Sequence, residues 1–362
     1  MEHYNPLLKD NHGTDKFITI GEIMLRLTPP NYEKIRTASS FEASYGGSEA
    51  NIALALANLG VDSTFFSVVP NNSVGKSAVR MLRSNDVHCT PMILSSHEET
   101  PTHRLGSYYL ETGYGIRPSK VTYDRKHSAI TEYDFSKVDL DALLDGFTWL
   151  HLSGITPALA PNCRKLIMDV LKVAREKGMT VSFDGNFRSK LWTWDEARDF
   201  CTECLPYIDV LMGIEPYHLW KDENDHSKGD VKDGVPLQPS YEQQDEIFKV
   251  FVERYPNIKC IGRHVRYAHS GSENSLKAFL WYENHTFESK LFTFNILDRV
   301  GGGDAFASGL IYAMMHNFKP MDMVNFAVAS SVIKHTIRGD ANITDDVESI
   351  KNLMNMNYDI KR

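Results

Sequence analysis

The stretch Asp298-Arg299-Val300-Gly301-Gly302-Gly303-Asp304-Ala305-Phe306 carries the strongest structural signal in the chain. It follows a predicted strand at 292–294 and opens a helix predicted over 303–316. Glycines let the backbone turn sharply and expose consecutive N–H groups, and the start of a helix adds positive dipole. We interpret the stretch as an anion hole in which the carboxylate of Asp304 accepts a proton from an attacking hydroxyl group. A capping Asp after a flexible turn is the alternative, because short glycine motifs are weak signals.

Upstream of this stretch, predicted strands and helices alternate, which is typical of a parallel sheet covered by helices. The other predicted strands are 17–21, 64–69, 147–152, 179–183, 208–212, 258–262 and 277–282. The other predicted helices are 49–59, 74–84, 161–177, 321–336 and 347–354. Segments 23–45 and 100–125 break the alternation and are predicted to form a small β-sheet lid, and the polar segment 222–243 a surface loop. We therefore expect a doubly wound, mostly parallel α/β fold flanked by helices, in a single domain spanning 1–362.

Charge and cysteine usage argue against several classes of protein. The formal net charge of −8 disfavours nucleic acid as the main partner, because a backbone binder needs a basic face. No apolar run reaches membrane-spanning length, and the N-terminal segment lacks the apolar core of a secretory signal, so we expect a cytoplasmic protein without a membrane partner. Cys201 and Cys204 form a C-x-x-C pair without a thioredoxin-like strand before it, so we interpret them as reduced packing residues. The scattered histidines do not predict a zinc site.

A second glycine motif, Tyr45-Gly46-Gly47-Ser48-Glu49-Ala50-Asn51-Ile52-Ala53, precedes another predicted helix far upstream. With both motifs in this order, the chain resembles the ribokinase-like, or PfkB-type, carbohydrate kinases from roughly Lys16 to its C-terminus. The resemblance implies the ribokinase-like fold with its lid, ATP and Mg²⁺ as cofactors, and a homodimer formed through the lid. By position it assigns catalysis to Asp304 with Gly301, Gly302 and Gly303, sugar binding to Gly46, Gly47 and Asn51, and nucleotide binding to Asp298, Gly301, Gly303, Val328 and Ser331.

Within that family, the chain looks most like the 2-keto-3-deoxygluconate kinases. The similar stretches are 21–27, 45–51, 104–111, 117–125, 184–188 and 191–192. The resemblance implies an acidic sugar whose carboxylate is bound by Arg125 and Arg188, with Tyr108 and Tyr123 offering hydroxyl groups and an aromatic wall. Guanidinium groups bind carboxylates through two parallel hydrogen bonds, which suits such a substrate. The alternative is that these are surface arginines and packing tyrosines.

Several features depart from the family pattern or imitate another one. Arg299 stands where family members usually have Thr or Ser. The segment Gly213-Ile214-Glu215-Pro216 stands where an N-x-x-E element is expected, so Glu215 is retained only as a candidate magnesium ligand. The stretch 339–342 is a further candidate for adenine contacts. Gly75-Lys76-Ser77 resembles the end of a Walker A loop, but Pro70 replaces the required first glycine, so we interpret it as an ordinary helix start.

We therefore predict an ATP-dependent kinase that phosphorylates 2-keto-3-deoxygluconate on its primary hydroxyl group, giving the 6-phosphate. One alternative is a PfkB-type kinase for another sugar, such as fructose or ribose. Another is a non-catalytic sugar-binding or regulatory protein with the same fold. A dinucleotide-binding oxidoreductase is disfavoured, because the segment 21–24 after the first strand offers no G-x-G-x-x-G.

Overall fold

A computed structural model describes residues 15–217, 237–344 and 346–357 of the chain. Its strands are β1 (Lys16–Ile20), β2 (Met24–Thr28), β3 (Glu42–Gly46), β4 (Asp62–Phe66), β5 (Val68–Pro70), β6 (Ile93–Ser95), β7 (Ser107–Glu111), β8 (Lys120–Asp124), β9 (Trp149–Ser153), β10 (Thr180–Asp184), β11 (Val210–Met212), β12 (Cys260–Ala268), β13 (Glu273–Tyr282), β14 (His285–Glu288) and β15 (Phe292–Asn295). Its helices are α1 (Ser48–Asn58), α2 (Ser73–Arg83), α3 (Ala129–Glu132), α4 (Leu140–Leu143), α5 (Pro161–Glu176), α6 (Trp194–Cys204), α7 (Tyr241–Arg254), α8 (Gly302–Met315), α9 (Pro320–Lys334) and α10 (Val347–Met354).

The large sheet has nine strands in the order β14-β13-β12-β11-β10-β9-β1-β4, with β15 also paired to β13. In this sheet β4, β1, β9, β10, β11 and β12 are parallel to one another, and β13 pairs with β12, β14 and β15 in antiparallel fashion. Parallel strands that are covered on both faces read as continuous apolar runs, and β9 is buried along its whole length. Its Trp149 packs into the core on one face, and Leu150 and Leu152 pack into the core on the other. The mostly parallel, helix-flanked sheet is therefore confirmed.

Two layers of helices cover this sheet. One core contains side chains of α1, α8 and α9, and the other contains those of α5, α6 and α7. The alanine-rich sequence of α1 allows it to approach both β4 and α8. Cys201 and Cys204 are buried free thiols in α6, as expected of packing residues. Among the described residues, no helix is long and apolar enough to cross a membrane.

A separate four-stranded sheet, which we call the small sheet, has the order β3-β2-β7-β8. Its strands come from two separate parts of the chain, as the two irregular segments predicted. Met24, Tyr108 and Leu110 form a small apolar cluster in it, against which Val300 of the glycine stretch packs. The small sheet therefore lies directly against the turn that precedes α8.

The structure changes three of the predicted elements. The strand predicted over 64–69 is two strands, since β4 ends in the large sheet and β5 pairs with β6 in a two-stranded sheet. The strand predicted over 258–262 continues as β12 to Ala268, because β13 pairs with it beyond the point where its apolar pattern ends. The predicted surface loop 222–243 lies mostly outside the described residues, and its end, from Tyr241, already belongs to α7.

Candidate active site

A cavity of about 900 Å³ opens at the edge of the large sheet where the parallel strands end. Its walls include Asp184 at the end of β10, Gly213 just after β11 and residues 262–266 of β12. Tyr108 and Tyr123 of the small sheet also line it. Ligands of open α/β sheets bind outside the carboxyl ends of the strands. This cavity is therefore the candidate active site.

The glycine stretch forms the turn into α8 at this cavity. Gly301 is the N-cap residue and has φ of +80°, a left-handed conformation that favours glycine. A Cβ atom on Gly301 would also lie 1.6 Å from the backbone oxygen of Asp340, so no side chain fits there. Gly302 and Gly303 are the first two helical residues, and the first N–H groups of a helix have no acceptor within it. All three glycines line the cavity, where such N–H groups can bind an anion.

Asp304 lies in the first turn of α8, with both carboxylate oxygens held by α1. Ser48 donates a hydrogen bond of 2.8 Å from Oγ to Oδ1, and Asn51 donates one of 2.7 Å from Nδ2 to Oδ2. Burial raises the pKa of Asp304, while the bonds from Asn51 and Ser48 and the charge of Arg188 act to lower it. The two hydrogen bonds favour the ionised carboxylate, which is the form that accepts a proton.

The two donors belong to the first turn of α1, which begins after Gly47. The N–H of Gly47 donates to Oδ1 of Asn51 at 3.3 Å, so the Asn51 amide presents its Nδ2 to Asp304. The N-termini of α1 and α8 thus meet at the cavity. The positive ends of both helix dipoles act there and favour an anion.

Two further carboxylates line the same part of the cavity. Burial and the charge of Asp304 raise the pKa of Asp184 to about 7. The backbone N–H of Asn186 donates to Oδ1 of Asp184 at 2.9 Å, and its side-chain amide donates to Oγ of Ser48 at 2.9 Å. Asp184 is therefore linked to the hydrogen bonds around Asp304. Glu49 is buried, accepts bonds from two hydroxyl groups, and has its pKa raised by burial.

The remaining polar wall of the cavity is basic. Arg263, His264 and Arg266 extend from β12, and Arg299 comes from the glycine stretch. The Arg266 side chain is exposed toward the cavity, and its guanidinium is charged at neutral pH. His264 is exposed on the same strand, and its ring packs against that of Phe306 with the ring centroids 5.1 Å apart. Within the described ranges, neither Arg266 nor Arg299 forms an ion pair, so this wall favours an anionic ligand such as a polyphosphate.

The structure brings most of the predicted sugar-binding residues to the cavity. Gly47, Asn51, Tyr123 and Arg188 line it. The Arg188 side chain is exposed, and its charge acts on the carboxylates of Asp184 and Asp304, which we call the acidic wall. Gly46 does not line the cavity, because it ends β3 against the loop that follows α9.

Two other predicted residues line the cavity but are engaged by protein groups. Arg125 forms a buried ion pair with Glu22, through Nε at 2.8 Å and through Nη2. Tyr108 is buried and donates its hydroxyl group to Asp340. Because Glu22 occupies two nitrogens of the Arg125 guanidinium, the structure corrects the expectation that Arg125 offers a bidentate site to a substrate carboxylate.

The predicted nucleotide residues divide into two groups. Gly301 and Gly303 line the cavity, whereas Asp298 is buried behind it and lines a second cavity of about 210 Å³. Val328 is fully buried in α9, and Ser331 donates its hydroxyl group to the carbonyl oxygen of Gly302 at 2.7 Å. The structure therefore corrects the expectation of nucleotide contacts by these two α9 side chains, and Ser331 instead supports the glycine turn.

The described residues contain no group of three or more histidine, cysteine or carboxylate side chains arranged to hold a metal ion. Mg²⁺ commonly uses only one or two carboxylates together with water and substrate phosphates. Glu215 lines the cavity but pairs with Arg263 at 3.4 Å, so its role as a metal ligand stays a prediction.

Several polar residues of this site were not predicted from the sequence. Ser48 lies inside the upstream glycine motif, and its position between Gly47 and Asn51 was an available signal. Asp184 is the last residue of the buried strand β10 and Asn186 lies two positions after it, at the strand end where site residues of parallel sheets occur. The basic wall from β12 carried the same signal, because Arg263, His264 and Arg266 follow the segment 258–262 that was predicted as a strand.

Comparisons with known proteins agree with this geometry. The sequence model of the pfkB family of carbohydrate kinases matches residues 14–216. A 2-dehydro-3-deoxygalactonokinase of Haloferax volcanii is 30% identical over 339 residues, covering 93% of this chain and 96% of the relative. A crystal structure of a 2-dehydro-3-deoxygluconokinase from Thermotoga maritima superposes with a TM-score of 0.84 at 37% identity, covering 94% of this chain and 99% of that one. An uncharacterised sugar kinase from Pyrococcus horikoshii, solved in complex with ATP, has a TM-score of 0.64 at 17% identity, covering 90% and 94%, and shows likeness of fold alone.

Proposed function

Because the chain belongs to the pfkB family of carbohydrate kinases, we propose that it transfers the γ-phosphoryl group of ATP to the primary hydroxyl group of a sugar acid. The first substrate to test is 2-keto-3-deoxygluconate, which is another name for the 2-dehydro-3-deoxygluconate in the name of the Thermotoga maritima relative. The Haloferax volcanii relative is named for the galactonate, so both acids are candidates. The single observation that carries the proposal is Asp304, whose carboxylate lies beside the glycine turn at the N-terminus of α8 and is held there by Ser48 and Asn51.

The proposed reaction needs a base beside an anion hole. Asp304 accepts the proton of the sugar hydroxyl group. At the same time the hydroxyl oxygen of the sugar forms a bond to the γ-phosphorus, and the bond between that phosphorus and the leaving ADP oxygen breaks. The N–H groups of Gly302 and Gly303 stabilise the charge on the transferring group, and Arg299 adds positive charge on the same side. Mg²⁺ bound with the nucleotide would supply further neutralisation of the phosphate oxygens. The proton on Asp304 passes to solvent after product release.

The basic wall supports a polyphosphate donor. Arg266 and Arg299 both line the cavity next to the glycine turn. Neither forms an ion pair within the described residues, so the phosphates of the donor would be their anionic partner. ATP is the donor implied by the family resemblance, and the Pyrococcus horikoshii relative is named as an ATP complex.

The carboxylate of the sugar acid is proposed to bind Arg188. This residue lines the cavity next to the acidic wall, and its guanidinium makes a long hydrogen bond of 3.4 Å to the carbonyl oxygen of Phe187. Arg125 lines the cavity as well, but Nε and Nη2 of its guanidinium donate to Glu22, so it is not proposed as a ligand of the substrate carboxylate. Tyr123 lies 5.5 Å from the Arg125 guanidinium and would provide the aromatic wall.

The proposed homodimer would use the small sheet. Its β7–β8 hairpin exposes Tyr114 and Ile116, at 64% and 98% of their surface, which is apolar area that a second copy could cover. Light scattering on the wild-type protein and on an Ile116→Glu variant tests this. A monomer in the wild type would contradict it.

The experiment that tests the function is a substrate panel with the purified chain, ATP and Mg²⁺. It compares 2-keto-3-deoxygluconate and 2-keto-3-deoxygalactonate with the neutral sugars fructose and ribose, and measures ADP release coupled to phosphosugar formation. We expect phosphorylation of at least one acid with kcat/KM far above that of the neutral sugars. Preference for a neutral sugar would point to another PfkB-type kinase, and no turnover of any sugar would point to a sugar-binding protein.

A further inference from the structure

A buried, charge-balanced cluster lies behind the glycine turn. It contains two cations and two carboxylates, Arg26, Lys334, Asp298 and Asp340, and the phenol of Tyr108. Arg26, Asp298 and Asp340 are each 4% exposed, and Lys334 is 0% exposed. Buried charges are costly unless they are paired and hydrogen-bonded. We call this group the anchor cluster, and its contacts show what it holds in place.

Arg26 joins the small sheet to two separate loops. It extends from β2, its Nη1 donates to Asp340 at 2.5 Å, and its Nη2 forms an ion pair with Asp298. Its Nε donates to Thr28 on the same strand at 2.9 Å, which fixes the plane of the guanidinium. Tyr108, from β7, also donates to Asp340. Two strands of the small sheet are therefore tied to the loop after α9, and one of them also to the start of the glycine stretch.

Asp298 in turn holds the backbone of the glycine stretch and that of the loop after α9. Its Oδ1 accepts the N–H of Val300 at 3.1 Å, and its Oδ2 accepts the N–H of Gly339 at 3.1 Å. Lys334, at the end of α9, donates to the carbonyl oxygens of Asp298 and Ile337, both at 3.2 Å. The entry to the glycine stretch is therefore held from its side chain and from its backbone carbonyl.

Asp340 completes the arrangement by contact with both glycine motifs. Its backbone oxygen lies 1.6 Å from the position that a Cβ of Gly301 would take, and its Oδ2 lies 2.2 Å from the position of a Cβ of Gly46. A displacement of Asp340 toward α8 would therefore press its backbone against Gly301, the N-cap residue of α8. The bonds of the cluster do not reach Asp304, so its effect on chemistry is indirect.

We propose that Arg26 and Lys334 are positioning residues, which hold the turn 298–303 in the shape that binds the transferring phosphoryl group and make that shape depend on the seating of the small sheet. The inference rests on the proposed function for its kinetic consequences, but the positioning itself is a property of the chain without substrate. Misplacement of catalytic groups by about 1 Å can cost on the order of 100-fold in rate, so a loosened turn should lower kcat strongly.

The test uses Arg26→Met and Lys334→Met in the full chain. We expect both variants to lower kcat about 100-fold, with KM for the sugar changed much less, because neither Arg26 nor Lys334 lines the cavity. Hydrogen exchange of the peptide that covers 298–306, measured without any ligand, should become faster in both. This second readout does not require a known substrate, so it separates failure of the positioning from failure of the proposed function.

Arg338→Met is the matched control. Arg338 also connects the loop after α9 to the small sheet, through Glu42 at 3.4 Å, but the two side chains are 64% and 55% exposed. Exposed ion pairs contribute little, so this variant should keep wild-type kcat and exchange. Wild-type exchange and wild-type kcat in folded Arg26→Met would overturn the proposal.

Arg26→Lys and Tyr108→Phe decide the matter if Arg26→Met fails to fold in a thermal melt. Lysine keeps the charge of Arg26 but lacks the planar guanidinium that reaches both carboxylates, so we expect intermediate exchange and intermediate kcat. Phenylalanine removes one hydrogen bond to Asp340 and should have a smaller effect in the same direction. Two conservative variants that both match the wild type in exchange and kcat would reject the proposal as well.

Discussion

The side-chain amide of Asn51 donates a 2.7 Å hydrogen bond to Oδ2 of Asp304, a residue 253 positions later in the chain. This bond joins the first turns of α1 and α8, and therefore the two glycine motifs, into one site. It stabilises the ionised form of the Asp304 carboxylate against the effect of burial, which raises its pKa. Whether Asp304 is a competent base near neutral pH thus depends on α1.

Replacement of Asn51 by Ala should therefore change the pH dependence of the reaction. The Asn51 bond lowers the pKa of Asp304, so its removal raises that pKa further. The base is active when deprotonated, and the acidic limb of the kcat profile should move to higher pH. The measurement is kcat against pH for wild type, Asn51→Ala and Asn58→Ala. Asn58 lies at the end of the same helix, and its side chain donates to the carbonyl oxygen of Leu54. Asn58→Ala should therefore keep the wild-type pH profile. An acidic limb that does not move in Asn51→Ala would contradict the assignment of Asp304 as the base.

Replacement of Asp304 by Asn should abolish the base and leave the shape of the site. We expect kcat to fall by about 10²–10⁴-fold, because general base catalysis contributes an amount of that order. Binding of the sugar, measured by calorimetry, should change little, since the amide keeps the size of the carboxylate. Near-wild-type turnover in this variant would show that another group takes the proton.

Much of this arrangement was predictable from local patterns. The alternation of apolar runs and helical periods predicted the parallel sheet, and the glycine stretch predicted the start of α8 close to its observed N-cap. The two motifs were placed together only through a family resemblance. The hydrogen bonds from Ser48 and Asn51 to Asp304 give the physical reason for that association, which no local pattern contains.

What escaped prediction consists of long-range pairings and packing. Arg125 was expected to face substrate, but it pairs with Glu22, a residue 103 positions away, because β7 pairs with both β2 and β8. Val328 falls on a helix that is buried almost all round, so its helical position gave no indication of which face met the cavity. Arg266 lies in a part of β12 where polar residues end the apolar pattern, although backbone pairing with β13 continues.

Replacement of Gly301 by Ala should destabilise the protein and disable the turn. An alanine in a left-handed conformation costs roughly 1–2 kcal/mol by itself, and at Gly301 its Cβ would also clash with the backbone of Asp340. Gly60 offers a matched control, because it has φ of +89° and a Cβ atom added to it would meet no other group within 4 Å, so Gly60→Ala should show the conformational cost alone. Denaturant unfolding should give a larger loss for Gly301→Ala, with kcat lowered only in that variant. Equal losses would mean that the contact with Asp340 is easily relieved.

Replacement of Asp184 by Asn should remove a pH-dependent loss of stability. Burial and the charge of Asp304 raise the pKa of Asp184 to about 7, whereas an unfolded Asp titrates near 3.9. Between these two pKa values the folded state binds more protons than the unfolded one, so this group lowers the free energy of unfolding as pH rises from about 4 to 7, by up to about 1.4 kcal/mol per pH unit. Urea unfolding at a series of pH values should show a smaller fall in Asp184→Asn than in the wild type. Parallel curves for the two proteins would contradict the raised pKa.

Replacement of Arg188 by Lys should separate acidic from neutral substrates. The guanidinium of Arg188 is accessible in the cavity, whereas that of Arg125 is held by Glu22. A lysine keeps one charge but loses the bidentate geometry, so we expect KM for the sugar acid to rise by roughly 10-fold or more, with kcat less affected. Turnover of a neutral sugar, where it is measurable, should be unchanged in the same variant. Arg125→Lys is the comparison. Its effect should fall equally on both kinds of sugar, because this variant first loosens the ion pair with Glu22. An acid-specific loss in Arg125→Lys, with none in Arg188→Lys, would reverse the assignment of the two arginines.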